Sequence, residues 1–250
     1  MSAILESMPD PDYLQVIGGS DRLTPHSIDL RSSESDAQLR ELYAPPLQSW
    51  VRMNMIGSLN GRVTGPDGTS DTLSNRADRR ILKLIRGMSD AIIVGAQTVR
   101  QERHTATRPT WLCIVTGGGD LTGHRISEAD AASSVLVCCP PSARERALTT
   151  MPGANIVELG DSNDRIDLQD VLARLHDRGL HQLVVEGGNR LIGQFLDADL
   201  LDEVCLTQAP VFAPDSAPSL PGSGRGTEFS RDLLAVDSVG YVYQRLIAQH

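Results

Sequence analysis

An α/β domain with a mixed, mainly parallel sheet flanked by helices is the fold class this sequence predicts, and three observations carry the prediction. From Trp50 onward, short β-branched or apolar runs alternate with segments of helical periodicity, the pattern of strands joined through crossover helices. Two of the helical segments place their apolar residues on a single face. The final segment, LLAVDSVGYVYQRLIA, reads as two strands joined by a turn near Asp237 and Gly240, which adds a C-terminal antiparallel hairpin to the sheet.

The elements follow in order. Residues 1–47 are rich in Asp, Ser and Pro and end near AlaProPro, the composition of an N-terminal arm or loosely packed extension. The domain proper is read as residues 48–250. Its expected strands are WVRMNMI, AIIVG, WLCIV, SVLVCC, NIVEL, QLVVEGG and DEVCLTQ. In SNRADRRILKLIRGMS, Ala77, Ile81, Leu84, Ile85 and Met88 share a face, Ser74 or Asn75 can cap the start, and Asp78 suits the positive end of the helix. In DLQDVLARLHDRG, Asp167 can cap, Leu168, Val171, Leu172 and Leu175 form the apolar face, and Gly179 stops the helix. Residues 213–226 form a Pro/Gly/Ser-rich loop before the hairpin.

Composition narrows the function classes. With 250 residues the chain can bury a substantial core. A formal charge of -9 opposes a nucleic-acid partner, because a phosphate backbone would be repelled at long range. No apolar run approaches the ~20 residues that span a bilayer, and MSAILESMPDPDY has neither the basic start nor the apolar core of a secretory signal. Cytoplasmic residence without a membrane partner is the expectation. Cys113, Cys138, Cys139 and Cys205 sit in apolar runs without C-x-x-C spacing, so they read as buried, reduced thiols rather than zinc ligands or disulfides.

Three segments offer chemistry. GAQTVRQE, residues 95–102, leaves the carboxyl end of a strand, where open α/β sheets bind ligands; Gly95 permits close backbone approach and free amides there suit a phosphate. EGGNRLIG, residues 186–193, repeats that architecture. It departs from the G-x-G-x-x-G dinucleotide pattern, so a ligand turn and a structural glycine turn with Glu186 in a salt bridge both fit. MNMIGSLNGRVTG with PDGTSDTLSN supplies Ser58, Asn60, Ser70, Thr72 and Ser74 as hydrogen-bonding groups, with Arg62 and Arg86 as cations. The histidines add little: His104 lies near Glu102 without a nucleophile elbow, and His176 and His181 flank a helix end. Metal spacing is absent.

Taken together, the order S-L-N-G-R, AIIVGAQTVRQE, VVEGGNRLIGQFLDADLLDEVCLTQAPVF resembles the reductase domain of bacterial riboflavin biosynthesis proteins, over about residues 48–247. That resemblance implies a dihydrofolate-reductase-like fold and reduction of the ribosyl group of 5-amino-6-(5-phosphoribosylamino)uracil to ribityl, with NADPH as hydride donor. It further implies a small-molecule substrate as partner, no metal, and a homodimer.

Carried over by motif, Thr98 and Glu102 resemble the T-V-x-x-D positions of the substrate pocket, with Glu replacing Asp. Ser70, Thr72 and Arg86 fall at substrate positions, Arg86 for the phosphate. Glu186 resembles the substrate-binding glutamate of E-G-G. Ile56 and Gly95, with Gly188, Asn189, Arg190, Leu191, Ile192, Gly193 and Gln194, resemble the cofactor contacts. Glu102 and Glu186 are the expected catalytic pair, Glu102 moving a proton while Glu186 orients the pyrimidine.

Asn54 stands where many bacterial members have lysine, Asn60 where Asp is usual, and Gly-Gly-Gly-Asp follows WLCIVT where a cation for a 2′-phosphate is wanted. Asn54 and Asn60 keep a pteridine or dihydrofolate reductase open as an alternative. A non-catalytic dinucleotide-binding module is another.

Overall fold

A computed structural model describes residues 10–19, 24–101, 108–160 and 166–249. Eleven strands form one sheet: β1 (Tyr13–Gly19), β2 (His26–Asp29), β3 (Trp50–Gly57), β4 (Ala91–Gly95), β5 (Trp111–Val115), β6 (Val135–Cys139), β7 (Asn155–Glu158), β8 (Gln182–Gly187), β9 (Glu203–Gln208), β10 (Phe229–Asp237) and β11 (Val242–Ala248). The helices are α1 (Ser35–Leu42), α2 (Arg76–Gly87), α3 (Ala96–Gln101), α4 (Glu128–Ser134), α5 (Arg144–Thr150), α6 (Leu168–His176) and α7 (Asn189–Asp197).

The strand order is β2-β1-β10-β11-β9-β3-β8-β4-β5-β6-β7. Pairing is parallel from β9 through β7 and antiparallel from β2 through β9. The mixed, mainly parallel sheet with its C-terminal hairpin is therefore present as the alternation predicted. Apolar residues at alternate positions feed opposite faces of the sheet. Ile56, Ile92, Val94, Leu112 and Ile114 meet α2 on one side, while Val51, Met53, Ile93, Leu183 and Val185 meet α6 and α7 on the other.

Two helices have the ends their sequences encode. Asn75 caps α2 by accepting the Asp78 amide, and Ala77, Ile81, Leu84 and Ile85 are buried beneath it. Asp167 caps α6 by accepting the Gln169 amide. Gly179, at φ +75°, closes that helix, with the Gly179 and Leu180 amides donating to the His176 and Leu175 carbonyls. All four cysteines are free and buried.

The N-terminal segment departs from the loose arm expected of residues 1–47. Strand β1 pairs with β10 and β2 with β1, and Leu14, Val16 and Leu39 have no exposed surface. What fixes it lies far away in sequence. Arg52 donates to the Tyr43 carbonyl at 2.9 Å, and Arg245 donates to the carbonyls of Leu42 and Ala44 at 3.0 Å each, so two buried guanidinium groups satisfy the C-terminal carbonyls of α1. Asp- and Ser-rich composition masked a sheet edge with only four to seven residues per strand.

Candidate active site

The carboxyl ends of β3, β4, β5 and β8 open on a cavity of about 750 Å³, large enough for a substrate lying beside part of a dinucleotide. Strands β4 and β8 are neighbours with Ile93 opposite Val185, so the two glycine turns that follow them abut. A Cβ on Gly95 would lie 3.5 Å from the Gly188 nitrogen, and one on Gly188 would lie 3.0 Å from Thr98 Oγ1. The Gly187–Gly188 peptide is cis. Gly188 is the N-cap of α7 and provides no side-chain cap, and the Ile192 amide is the first to bond back, to the Gly188 carbonyl. The first three amides of α7 thus have no helical carbonyl to bond, the arrangement of a helix start that suits an anion.

On the far wall, α2 contributes Asp78, Leu82 and Arg86, with Arg79 beside them and Ser74 just before the cap. The three helical residues recur at i+4, one stripe of the helix, distinct from the apolar stripe that enters the core. Arg86 grips Glu186 through two parallel bonds, Nε to Oε1 at 2.8 Å and Nη2 to Oε2 at 2.6 Å. The carboxylate of that pair is almost wholly enclosed and the guanidinium is partly open, with side-chain exposures of 6% and 36%. Asp78 is 7% exposed, and burial pushes its carboxyl above the ordinary range against hydrogen bonds from Ser74 and Thr207 and the charge of Arg79.

Most residues singled out from the sequence meet here. Asn54, Ile56, Ser70, Arg86, Gly95, Thr98, Glu186, Gly188, Asn189, Arg190, Leu191 and Gln194 all line the cavity. Thr72 does not: its hydroxyl donates to Asp67 at 2.9 Å and braces the loop before α2. Ile192 is fully buried in the core beneath α7, because it lies on the apolar face of that amphipathic helix, turned away from the cavity. Gly193 faces the Gly222 carbonyl, 3.3 Å from where its Cβ would be. Glu102 lies outside the described residues, as does His104.

Asn60 is also accounted for. Its Nδ2 donates to the Ala213 carbonyl at 2.9 Å and its Oδ1 accepts the Ala213 amide at 3.0 Å, so it anchors the loop after β9 instead of lining the cavity. Sequence reading assigned Asp78 to helix-end electrostatics and did not consider Arg79; it noted the glycines after β5 only for the cation they lack, whereas Gly117 and Gly118 line the cavity. The i+4 stripe of α2 was the available signal for Asp78. A Cβ on Gly117 or Gly118 would meet nothing within 4 Å, which leaves the backbone there open to a ligand.

Comparison with known proteins places these features in a family. The family model for the RibD C-terminal domain matches residues 49–228. The 2,5-diamino-6-ribosylamino-4(3H)-pyrimidinone 5′-phosphate reductase of Archaeoglobus fulgidus is 26% identical over 184 residues, covering 66% of this chain and 82% of that protein. Among solved structures, a pyrimidine reductase-like protein from Corynebacterium diphtheriae superposes with a TM-score of 0.72 at 23% identity, covering 85% of this chain and 98% of its own. A diaminohydroxyphosphoribosylaminopyrimidine deaminase/5-amino-6-(5-phosphoribosylamino)uracil reductase from Thermotoga maritima gives 0.63 at 17% identity, covering 80% of this chain and 57% of its own. At these identities the two structures share the fold.

Proposed function

We propose, for a chain that belongs to the RibD C-terminal domain family, that it reduces the ribosyl group of a 5-amino-6-(5-phosphoribosylamino)pyrimidine to ribityl in riboflavin biosynthesis. The pyrimidine of the sequence-based expectation is the uracil. NADPH, when bound, supplies the hydride. The observation that carries the reading is the single cavity into which the two glycine turns after β4 and β8 and the polar stripe of α2 converge.

The residues fit a nicotinamide dinucleotide at the strand ends: Gly95, Gly117, Gly118 and Gly188 leave room for it, and the uncapped start of α7 with Arg190 suits its pyrophosphate. The α2 side is left for the substrate. Glu186, held by Arg86, is oriented without rotamer freedom, and it would position the substrate's donors as the sugar opens to an imine. With Arg86 engaged in that pair, the exposed Arg79, which lines the cavity near Ser70, takes the phosphate in this reading. Glu102 is retained as the proton-transferring group on the strength of its motif.

All four cysteines are free, as expected of a cytoplasmic enzyme. No helix among the described residues is long and apolar enough to cross a membrane. The reading includes a homodimer through the sheet face opposite α1 and α2. There Tyr13 and Ile17 are 46% and 48% exposed, next to the half-buried Leu234, Val236 and Val242, an apolar surface of the kind subunits cover. Sedimentation should show a dimer that Val236→Glu splits.

Deuterium transfer tests the chemistry. With C4-deuterated NADPH and the ribosylaminopyrimidine phosphate, label should appear at C1′ of the ribityl product, and dihydrofolate should not be reduced. Cofactor binding without label transfer would sink the reading in favour of a non-catalytic module.

A further inference from the structure

Asp78, a buried charged group of the cavity, has no role in the proposed reduction. Asp78 stands in the first turn of α2, and its Oδ2 accepts the Ser74 hydroxyl at 2.6 Å, with Thr207 of β9 hydrogen-bonded beside it. The cap of α2 is made by Asn75, whose Oδ1 takes the Asp78 amide at 2.9 Å, so the helix start does not depend on the Asp78 carboxylate. Arg79, the cation acting on it, spends a donor on the Asp71 carbonyl. A carboxylate enclosed with hydroxyl partners loses hydration that a ligand's N–H groups can replace.

Position limits what that ligand part can be. A phosphate against a buried carboxylate would meet like charge in a low-dielectric wall, so the phosphate belongs toward the exposed Arg79 and the base belongs against Asp78. The inference rests on the pyrimidine reading given above. Two bases are then in play: the 2,5-diamino-4(3H)-pyrimidinone in the name of the Archaeoglobus relative and the uracil in the name of the Thermotoga protein. They differ at C2. The first presents two adjacent donors, N3–H and the 2-amino group. The second presents one donor, N3–H, beside an acceptor, the 2-oxo group.

We propose that Asp78 reads the C2 substituent: its two oxygens accept from N3–H and the 2-amino group, so this enzyme takes the diaminopyrimidinone in preference to the uracil. An oxygen of Asp78 facing the 2-oxo group would set lone pair against lone pair, the kind of mismatch that rejects a substrate strongly in a buried site. The preference concerns only the substituent at C2 and leaves the ribosyl reduction unchanged.

The test compares kcat/KM for the two ribosylaminopyrimidine phosphates in the wild type and in Asp78→Asn. The wild type should favour the diaminopyrimidinone. In Asp78→Asn the carboxamide offers one acceptor and one donor, which matches the uracil, so the ratio should move toward the uracil by about 10²-fold or more. An unchanged ratio in a folded variant that binds NADPH would overturn the proposal, since a merely structural role affects both bases alike. Should that variant fail to fold, product inhibition of the wild type decides: the ribityl diaminopyrimidinone should inhibit more tightly than the ribityl uracil, and equal inhibition would overturn the proposal. Turnover of neither base by the wild type would overthrow the pyrimidine reading itself and this inference with it.

Discussion

Arg86 and Glu186, one hundred residues apart in sequence, are joined by two near-parallel hydrogen bonds of 2.8 and 2.6 Å at the junction of α2 with the end of β8. A guanidinium fork fixes a carboxylate in both direction and plane. The pair therefore links the α2 wall of the cavity to the glycine turn that follows β8.

Replacing the fork by a point charge should expose its contribution. Arg86→Lys keeps the cation and loses the bidentate geometry. A charged hydrogen bond is worth about 1.5–3 kcal/mol, so kcat/KM should fall roughly 10- to 100-fold. Steady-state kinetics with the ribosylaminopyrimidine phosphate check it; an unaltered kcat/KM would show that Glu186 needs no orientation from Arg86.

Asn60 makes the opposite kind of prediction, on stability rather than catalysis. Only a carboxamide can both accept the Ala213 amide and donate to the Ala213 carbonyl. In Asn60→Asp the carbonyl would face a carboxylate, and the loop anchor should lose about 1–3 kcal/mol. Urea unfolding should show a lower midpoint with the same slope, while substrate preference at C2 stays as in the wild type.

The Asn60 result also shows what the sequence could and could not disclose. Strand runs such as AIIVG and WLCIV, the Asn75 and Asp167 caps and the Gly179 stop were all legible, because each is a local pattern with a local cause. The glycine turns were legible as ligand candidates for the same reason. What was not legible depends on partners far away in the chain: Asn60 on Ala213, Arg86 on Glu186, the N-terminal strands on β10, and the end of α1 on guanidinium groups of β3 and β11. Asp78 fell between the two cases. Its spacing, four residues after Ser74 and eight before Arg86, was visible, but a first-turn aspartate satisfies the helix dipole equally well, and only the cavity separates the two roles.

Gly188 offers a test of the divided site. A side chain there would point its Cβ at Thr98 Oγ1 from 3.0 Å, while the backbone, at φ -78° and ψ 176°, is open to any residue. Gly188→Val should therefore keep the fold and crowd the position between the β4 and β8 turns. The dissociation constant for NADPH, measured by titration calorimetry, should rise while the thermal midpoint changes little. Equal NADPH affinity in the variant would remove the turn from the cofactor site.

The carboxyl of Asp78 carries a pH signature. Burial raises it above its unfolded value of 3.8, so between that value and the raised one the folded protein holds more protons than the unfolded chain. Stability from this group is fully present below the unfolded value and is lost as pH rises through the folded one. Four other aspartates, Asp29, Asp67, Asp120 and Asp170, are shifted the other way, so the wild type alone will not display the effect. The difference in thermal midpoint between wild type and Asp78→Asn should isolate it, moving in favour of the variant as pH is raised from the acid side of the window. A difference that is flat with pH would mean that Asp78 ionises as freely in the fold as in the open chain.

Glu203 sets the last expectation, for the segment that looked like an arm. It is fully buried, accepts from Trp50 Nε1 at 2.7 Å and from Arg245 at 3.0 Å, and lies 3.5 Å from Arg52. Those two arginines hold the carbonyls at the end of α1. Removing the anion would leave Arg52 enclosed without its counter-charge and Arg245 with only Asp232, 3.1 Å away, and breaking a buried pair costs about 3–5 kcal/mol. Glu203→Ala should lower the unfolding midpoint by an amount in that range, and deleting residues 1–47 should be comparably damaging, because it strips the same guanidinium groups of their carbonyl acceptors and uncovers the edge of β10. Hydrogen exchange would locate the loss in β1, α1 and β10. A truncated protein with wild-type stability would restore the segment to the status of a loose arm.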